Sequence, residues 1–181
     1  MPISYNFSAA LLADADKVIC GLRRRGWRLA VAESITGGLI AAVLTELAGA
    51  SDILSHGAVV YGEGAKTSLL GIPEPILANG GVYSGAVAMA MAESVAALGL
   101  SPLASPLVSA PCQLGLGITG VAGPGDVQWD DGKTTPAGNV WIGLSQWGQA
   151  PQYQHYRFDG DRHAVRQQAL GAAIAYLKSV L

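Results

Sequence analysis

Charge is scarce in this chain. Charged residues fill 13% of its 181 positions, about half of the usual ~25%. That excludes a charged coiled coil and a disordered polar tail. The charge present nearly balances, 11 Lys+Arg against 13 Asp+Glu, for a formal −2 and a pI of about 5.8. No global basic field exists to hold nucleic acid. Cysteine is nearly absent: Cys20 and Cys112 form no CxxC pair and no metal-ligand spacing. A reduced, cytoplasmic chain is therefore expected. The three histidines, His56, His155 and His163, follow no ligand pattern such as HExxH, so neither a metal nor a cofactor is expected. Long apolar runs are missing too. Glu46 and Glu93 interrupt stretches 36–50 and 84–100, which excludes a membrane span of about 20 residues. Asp14 and Asp16 arrive before any apolar run that could serve a signal peptide.

What is abundant is apolar surface and glycine. Apolar residues make up 50%, and the 24 glycines are roughly twice the usual ~7%. Together they predict a compact α/β fold with many tight turns. The length suits a single domain over residues 1–181, large enough to bury a core without staples. Low charge with high apolar content also predicts a homo-oligomer, since exposed apolar area needs cover. The one basic cluster, Arg23-Arg24-Arg25 with Arg28, sits where a helix C-terminus would be complemented by positive charge.

Periodicity orders the elements. Phe7, Leu11, Leu12, Ala15, Val18, Ile19 and Leu22 fall at spacings of three and four, which predicts a helix over 7–25 stopped by Gly26. A strand is expected over 27–32, a helix over 39–47, a strand over 57–61 and a helical turn over 63–70. A longer helix is expected over 85–98, with Ser84 as N-cap. Residues 101–111 carry three prolines and read as a surface connection. A strand over 113–119 precedes a loop over 120–136. Strands 139–146 and 152–158 form an antiparallel pair, and Asp161 caps a last helix to about 177. Strands alternating with helices, then a hairpin, predict a three-layer α/β/α sandwich with a mixed, mostly parallel sheet of about five strands.

Three strand ends could carry chemistry. In Glu33-Ser34-Ile35-Thr36-Gly37-Gly38 a serine leaves a buried strand just before a helix, near backbone N–H groups and a positive dipole end. Such a serine can act as a nucleophile beside an oxyanion hole. Equally, Ser34 or Thr36 can be an ordinary N-cap. In Tyr61-Gly62-Glu63-Gly64-Ala65-Lys66 both Tyr61 and Lys66 would reach the carboxyl edge of the sheet, where open α/β folds keep ligands. A buried Lys66 would have its pKa lowered and could serve as a neutral base; a solvated helix lysine is the other reading. The first glycine is misplaced for a P-loop. In the run 115–126 the glycines free the backbone to approach an anionic group and Thr119 offers a hydroxyl, or they simply make turns. Arg162 and Arg166 share a helix face and could grip a phosphate, or make salt bridges to solvent-facing acids. There is no GxSxG elbow, and nothing aims His155 or His163 at Ser34. Paired carboxylates for glycoside or metal work are absent, Asp130-Asp131 lying in a polar loop.

Five segments in order resemble one family. They are 32–38 (AESITGG), 57–66 with Tyr61 and Lys66, 117–124 (GITGVAGP), 136–141 (PAGNVW) and 158–166 (FDGDRHAVR). The family is the C-terminal domain of the competence/damage-inducible protein CinA, which also occurs alone as a nicotinamide mononucleotide amidohydrolase. No segment here resembles the N-terminal domain of full-length CinA, so the stand-alone form is expected. The resemblance implies hydrolysis of the carboxamide of nicotinamide mononucleotide to nicotinic acid mononucleotide and ammonia, in pyridine-nucleotide salvage, without metal. It implies Ser34 as nucleophile, Lys66 as its base and Tyr61 as positioning and proton-relaying partner. The amides around Thr36, Gly37 and Gly38 would hold the oxyanion. Thr119 and Gly120 with their loop, and Arg162, would face the ribose-phosphate. The chain departs from the family at Ile35, where Cys is usual, and at Gly62-Glu63-Gly64, where Ser-Asn-Glu is usual. It departs again at Thr135 and Asn139, where Lys and Thr are usual, and around 103–111, where it is longer. Those changes keep two other readings in view: a catalytically silent nucleotide-binding or assembly module, and an amidase for another small carboxamide.

Overall fold

The computed structural model describes residues 7–78, 81–98, 112–129 and 132–181. Helix α1, Ala9–Arg25, begins where Ser8 accepts a hydrogen bond from the Leu11 amide and ends at Gly26. Its Ala15, Val18, Ile19 and Leu22 are buried as the spacing predicts. The arginines at its end make local contacts: Arg23 bonds the Gly49 carbonyl and Asp52, and Arg25 lies over Trp27. Strand β1, Leu29–Glu33, leads to α2, Leu39–Thr45, then β2, Leu54–Val59. Helices α3 (Glu63–Leu70), α4 (Glu74–Ala78) and α5 (Gly85–Ala97) precede β3, Leu114–Gly120. After a small hairpin of β4 (Val127–Gln128) and β5 (Thr134–Thr135) come β6 (Asn139–Gln146), β7 (Gln152–Arg157) and α6 (Arg162–Ser179).

The main sheet has five strands in the order β2-β1-β3-β6-β7. β1 pairs in parallel with both β2 and β3, and β6 runs antiparallel to β3 and β7. Only β6 therefore opposes the common direction, and the sheet is mixed and mostly parallel, as expected. Alternation along the strands makes two cores. Leu29, Val31, Leu114, Leu116 and Ile118 face α1, α2 and α6; Ala30 and Ala32 face α3 and α5. The sequence expectation for β2 falls late. The strand starts at Leu54 and stops before Val60, because an edge strand with four of its six residues half-buried and two exposed lacks a clean apolar run. The loop expected over 120–136 contains the β4–β5 hairpin, and α4 adds a turn not read from the sequence. The 101–111 connection and Asp130-Asp131 lie outside the described residues.

Several glycines of β3 and β6 have a packing role. A Cβ on Gly115 would meet the Ala92 carbonyl at 2.1 Å, and one on Gly117 the Ala88 carbonyl at 2.3 Å. One on Gly143 of β6 would meet the same Ala88 carbonyl at 2.2 Å. α5 thus lies directly on the sheet, and these glycines serve helix–sheet contact rather than anion approach. Gly117→Ala should lower unfolding free energy by about 3 kcal/mol, the scale of core overpacking. Chemical denaturation of the variant against the wild type checks it.

The parallel strands set where a site can form. Their carboxyl ends share one edge, so the residues after β1, β2 and β3 converge there. β7 runs the same way, which brings the start of α6 to that edge as well.

Candidate active site

Ser34 leaves β1 into a tight turn. Its amide donates to the Ile118 carbonyl at 3.1 Å, and its own carbonyl accepts from the Gly37 amide at 3.0 Å. Gly37 and Gly38 have φ of 61° and 99°, left-handed conformations that glycine adopts without strain and that swing the chain into α2. Ser34 is 4% exposed, yet it lines a cavity of about 190 Å³. The cavity wall also includes Ile35, Tyr61, Tyr83, Asp126 and Arg162, with the glycine-rich segment from Gly120 to Gly125 as its floor.

The start of α2 differs from the N-cap reading. Gly38 is the N-cap, so neither Ser34 nor Thr36 caps the helix. The acceptor for its free amides is Glu33, 1% exposed. One carboxylate oxygen accepts from Gly38 at 2.9 Å and Ile40 at 3.1 Å, the other from Ala41 at 2.9 Å. A carboxylate is favoured at this positive end of a helix. The amides of Gly37 and Gly38, expected at an oxyanion, are thus occupied inside the turn. The Thr36 hydroxyl is buried and makes no hydrogen bond among the described residues.

Lys66 sits in α3 and is 1% exposed. Its amine donates to the Val60 carbonyl at 3.3 Å. Val60 in turn donates its amide to the Glu33 carbonyl at 2.8 Å, so the amine is held just past the end of β2 by a residue that pairs with Glu33, the residue before Ser34. Burial lowers the Lys66 pKa, while the Glu63 carboxylate opposes the shift. Desolvation penalises the ammonium, which would need three acceptors where the described residues supply one. Burial thus favours the neutral form, which keeps a lone pair to receive a proton. The solvated-lysine reading does not hold.

Tyr61 and Arg162 close the rim. Tyr61 is 56% exposed, and Arg162 donates to its hydroxyl and, at 2.9 Å, to the Gly123 carbonyl. Arg162 is anchored with part of its guanidinium facing the cavity. Thr119 is fully buried, and its hydroxyl donates to the Val82 carbonyl at 3.0 Å. It supports the cavity from behind, while Gly120 lines it. Arg166 departs from both sequence readings. Its Nε donates to the Ile35 carbonyl at 3.0 Å and its Nη2 to the Thr36 carbonyl at 2.8 Å. His155 stacks on Trp141 and bonds Asn139, away from Ser34.

Sequence reasoning missed two wall residues. Tyr83 precedes α5 with no motif around it; burial raises its pKa, with Glu63 and Tyr61 adding to the rise. Asp126 sits in the glycine-rich run and accepts from the Ala137 amide at 2.9 Å. Among the described residues no group of three or more His, Cys, Asp or Glu is placed to hold a metal ion. No described helix is long and apolar enough to cross a membrane.

A serine, a buried lysine and a tyrosine at the carboxyl edge of a mixed α/β sheet define a class of site, and comparison with known proteins names its family. Residues 13–181 match the model of the CinA C-terminal domain. A CinA-like protein of Syntrophus aciditrophicus is 42% identical over 161 residues, which is 88% of this chain and 34% of that protein. One from Syntrophotalea carbinolica is 39% identical over 169 residues, 92% of this chain and 37% of the relative. The chain thus spans about a third of the length of these curated relatives. A CinA superfamily protein from Klebsiella pneumoniae superposes with a TM-score of 0.80 at 32% identity, covering 93% of this chain and 96% of the other. The competence/damage-inducible protein CihA of Agrobacterium tumefaciens gives 0.81 at 27% identity, covering 98% and 99%. The chain belongs to the CinA C-terminal domain family.

Proposed function

We propose that this chain is an amidohydrolase that converts nicotinamide mononucleotide to nicotinic acid mononucleotide and ammonia, in pyridine-nucleotide salvage. The observation that carries the reading is the buried Lys66 amine, its pKa lowered by burial, bonded to the Val60 carbonyl just past β2, the strand that pairs with the one ending at Ser34. Amide hydrolysis needs a nucleophile stronger than water and a base that works near neutral pH. The Ser34 hydroxyl proton passes to the Lys66 amine as its oxygen attacks the amide carbon. The carbon–nitrogen bond then breaks, and the Lys66 ammonium returns the proton to the departing ammonia. Water cleaves the resulting ester by the same route and restores Ser34. Tyr61 orders the proton path from the rim.

With the Gly37 and Gly38 amides occupied, the Thr36 amide remains as an oxyanion donor and the Ile35 amide joins it. The Ile35 amide comes directly after the nucleophile, borders the cavity and donates to no acceptor among the described residues. In serine hydrolases that position supplies one such donor. Arg162 takes the phosphate. Arg162→Ala should raise KM for the mononucleotide roughly 10-fold, about the loss of one charge-assisted contact, and leave KM for the phosphate-free riboside nearly unchanged. Steady-state ammonia release with both substrates checks it.

Purified protein should release ammonia from the mononucleotide. Release from another carboxamide alone would reassign the substrate, and tight binding without turnover would favour a silent binding module. A homo-oligomer is part of the reading, since Val59, Tyr61 and Leu69 are all more than half exposed. Sedimentation at micromolar concentration tests that part.

A further inference from the structure

The turn that carries Ser34 is held from two sides by buried or half-buried groups of opposite charge. On one side the Glu33 carboxylate accepts from the amides of Gly38, Ile40 and Ala41. On the other the Arg166 guanidinium, 130 residues beyond Thr36 in the chain, donates to the carbonyls of Ile35 and Thr36. Neither side chain touches the other's partners. Between them they fix donors and acceptors of five of the seven residues after Ser34. Arg166 also lies within van der Waals reach of Gly37, where a Cβ would meet its Nη2 at 3.4 Å. We propose that Glu33 and Arg166 are positioning residues: a two-sided clamp that sets the direction of the Ser34 hydroxyl.

Three features favour a positioning role over general support. Glu33 immediately precedes the nucleophile and is 1% exposed, and its carboxylate ties that end of β1 to the amides of Gly38, Ile40 and Ala41. Arg166 holds the carbonyl of the residue whose amide is assigned to the oxyanion. The contacts are charge-assisted, and Arg166 reaches its two carbonyls through separate nitrogens, so each fixes an angle as well as a distance. Arg166 does not border the cavity that Ser34 lines, whereas Arg162 on the same helix does, which leaves the phosphate to Arg162.

The clamp rests on Ser34 being the nucleophile, and its test is chosen to separate it from the choice of substrate. Ser34 reactivity is read as the rate of labelling by a fluorophosphonate, alongside kcat and KM for ammonia release. Glu33→Gln and Arg166→Ala should each slow labelling and lower kcat roughly 30-fold, the cost of a misdirected attacking atom, with KM and far-ultraviolet circular dichroism near wild type. The double variant should fall about 100-fold, short of the product of the two, because both groups hold one turn. Arg166→Lys should recover only part of the rate, since one ammonium cannot span both carbonyls. Should Glu33→Gln fail to fold, Arg166→Lys carries the test alone. Wild-type labelling rates in a folded Arg166→Lys or Glu33→Gln would overturn the clamp, as would singles that multiply in full. Labelled wild type that releases no ammonia leaves the clamp in place and removes the substrate assignment. Wild type that is not labelled at Ser34 overturns both.

Discussion

Ser34→Ala should abolish ammonia release from the mononucleotide, by roughly 10⁴-fold or more, as loss of a nucleophile does when the remaining groups act only with it. KM should barely change, because the hydroxyl contributes to the transition state far more than to ground-state binding. The fold should survive. The Ser34 backbone bonds to Ile118 and Gly37 do not involve its side chain, and the neighbouring turn is held by Glu33 and Arg166. Steady-state kinetics with a thermal melt of the same preparation checks both parts. A variant that turns over at the wild-type rate would remove Ser34 from the chemistry.

Lys66→Met should lose activity by roughly 10³-fold, the effect of removing a general base that also protonates the leaving group. The same change should make the protein more stable, by about 1 kcal/mol, as apolar replacement of a buried ionisable group often does. The sign comes from the lowered pKa of Lys66. The unfolded chain keeps an ordinary lysine and binds a proton that the folded one releases. Wild-type stability therefore rises with pH from the lowered folded value up to the ordinary 10.5. Below the folded value the penalty is fully present. The stability advantage of Lys66→Met should accordingly be largest at low pH and shrink as pH approaches 10.5. Denaturation midpoints across that range measure it. An exposed lysine would show neither the gain nor its pH dependence.

Much of this arrangement is legible in the sequence where the signal is local. Ser84 and Asp161 cap their helices as expected, the first helix starts two residues later than expected behind a Ser8 cap, and the Gly37-Gly38 pair marks a real turn. The apolar periodicity of α1 and the alternation of β3 and β6 give the layers. What the sequence hides is long-range. Glu33 reads as a strand-end acid, and only the turn folding back brings its carboxylate to the α2 amides. Arg166 reads as a helix-surface cation because its partners are carbonyls far back in the chain. Tyr83 has no periodic or motif context, and it enters the cavity wall through the placement of α5. The glycines of 115–120 look alike as letters. Only the approach of α5 shows that Gly115 and Gly117 serve packing while Gly120 borders the cavity.

The central claim is a buried lysine amine of lowered pKa at the strand edge that carries Ser34, and nuclear magnetic resonance tests it most directly. The chain has four lysines, Lys17, Lys66, Lys133 and Lys178, so carbon-13 labelling at Cε gives few signals, and Lys66→Met assigns the one that matters. The account predicts that the Lys66 signal titrates at lower pH than the other three and is lost alone in the variant. A Lys66 signal that stays that of an ammonium until the exposed lysines titrate would contradict it.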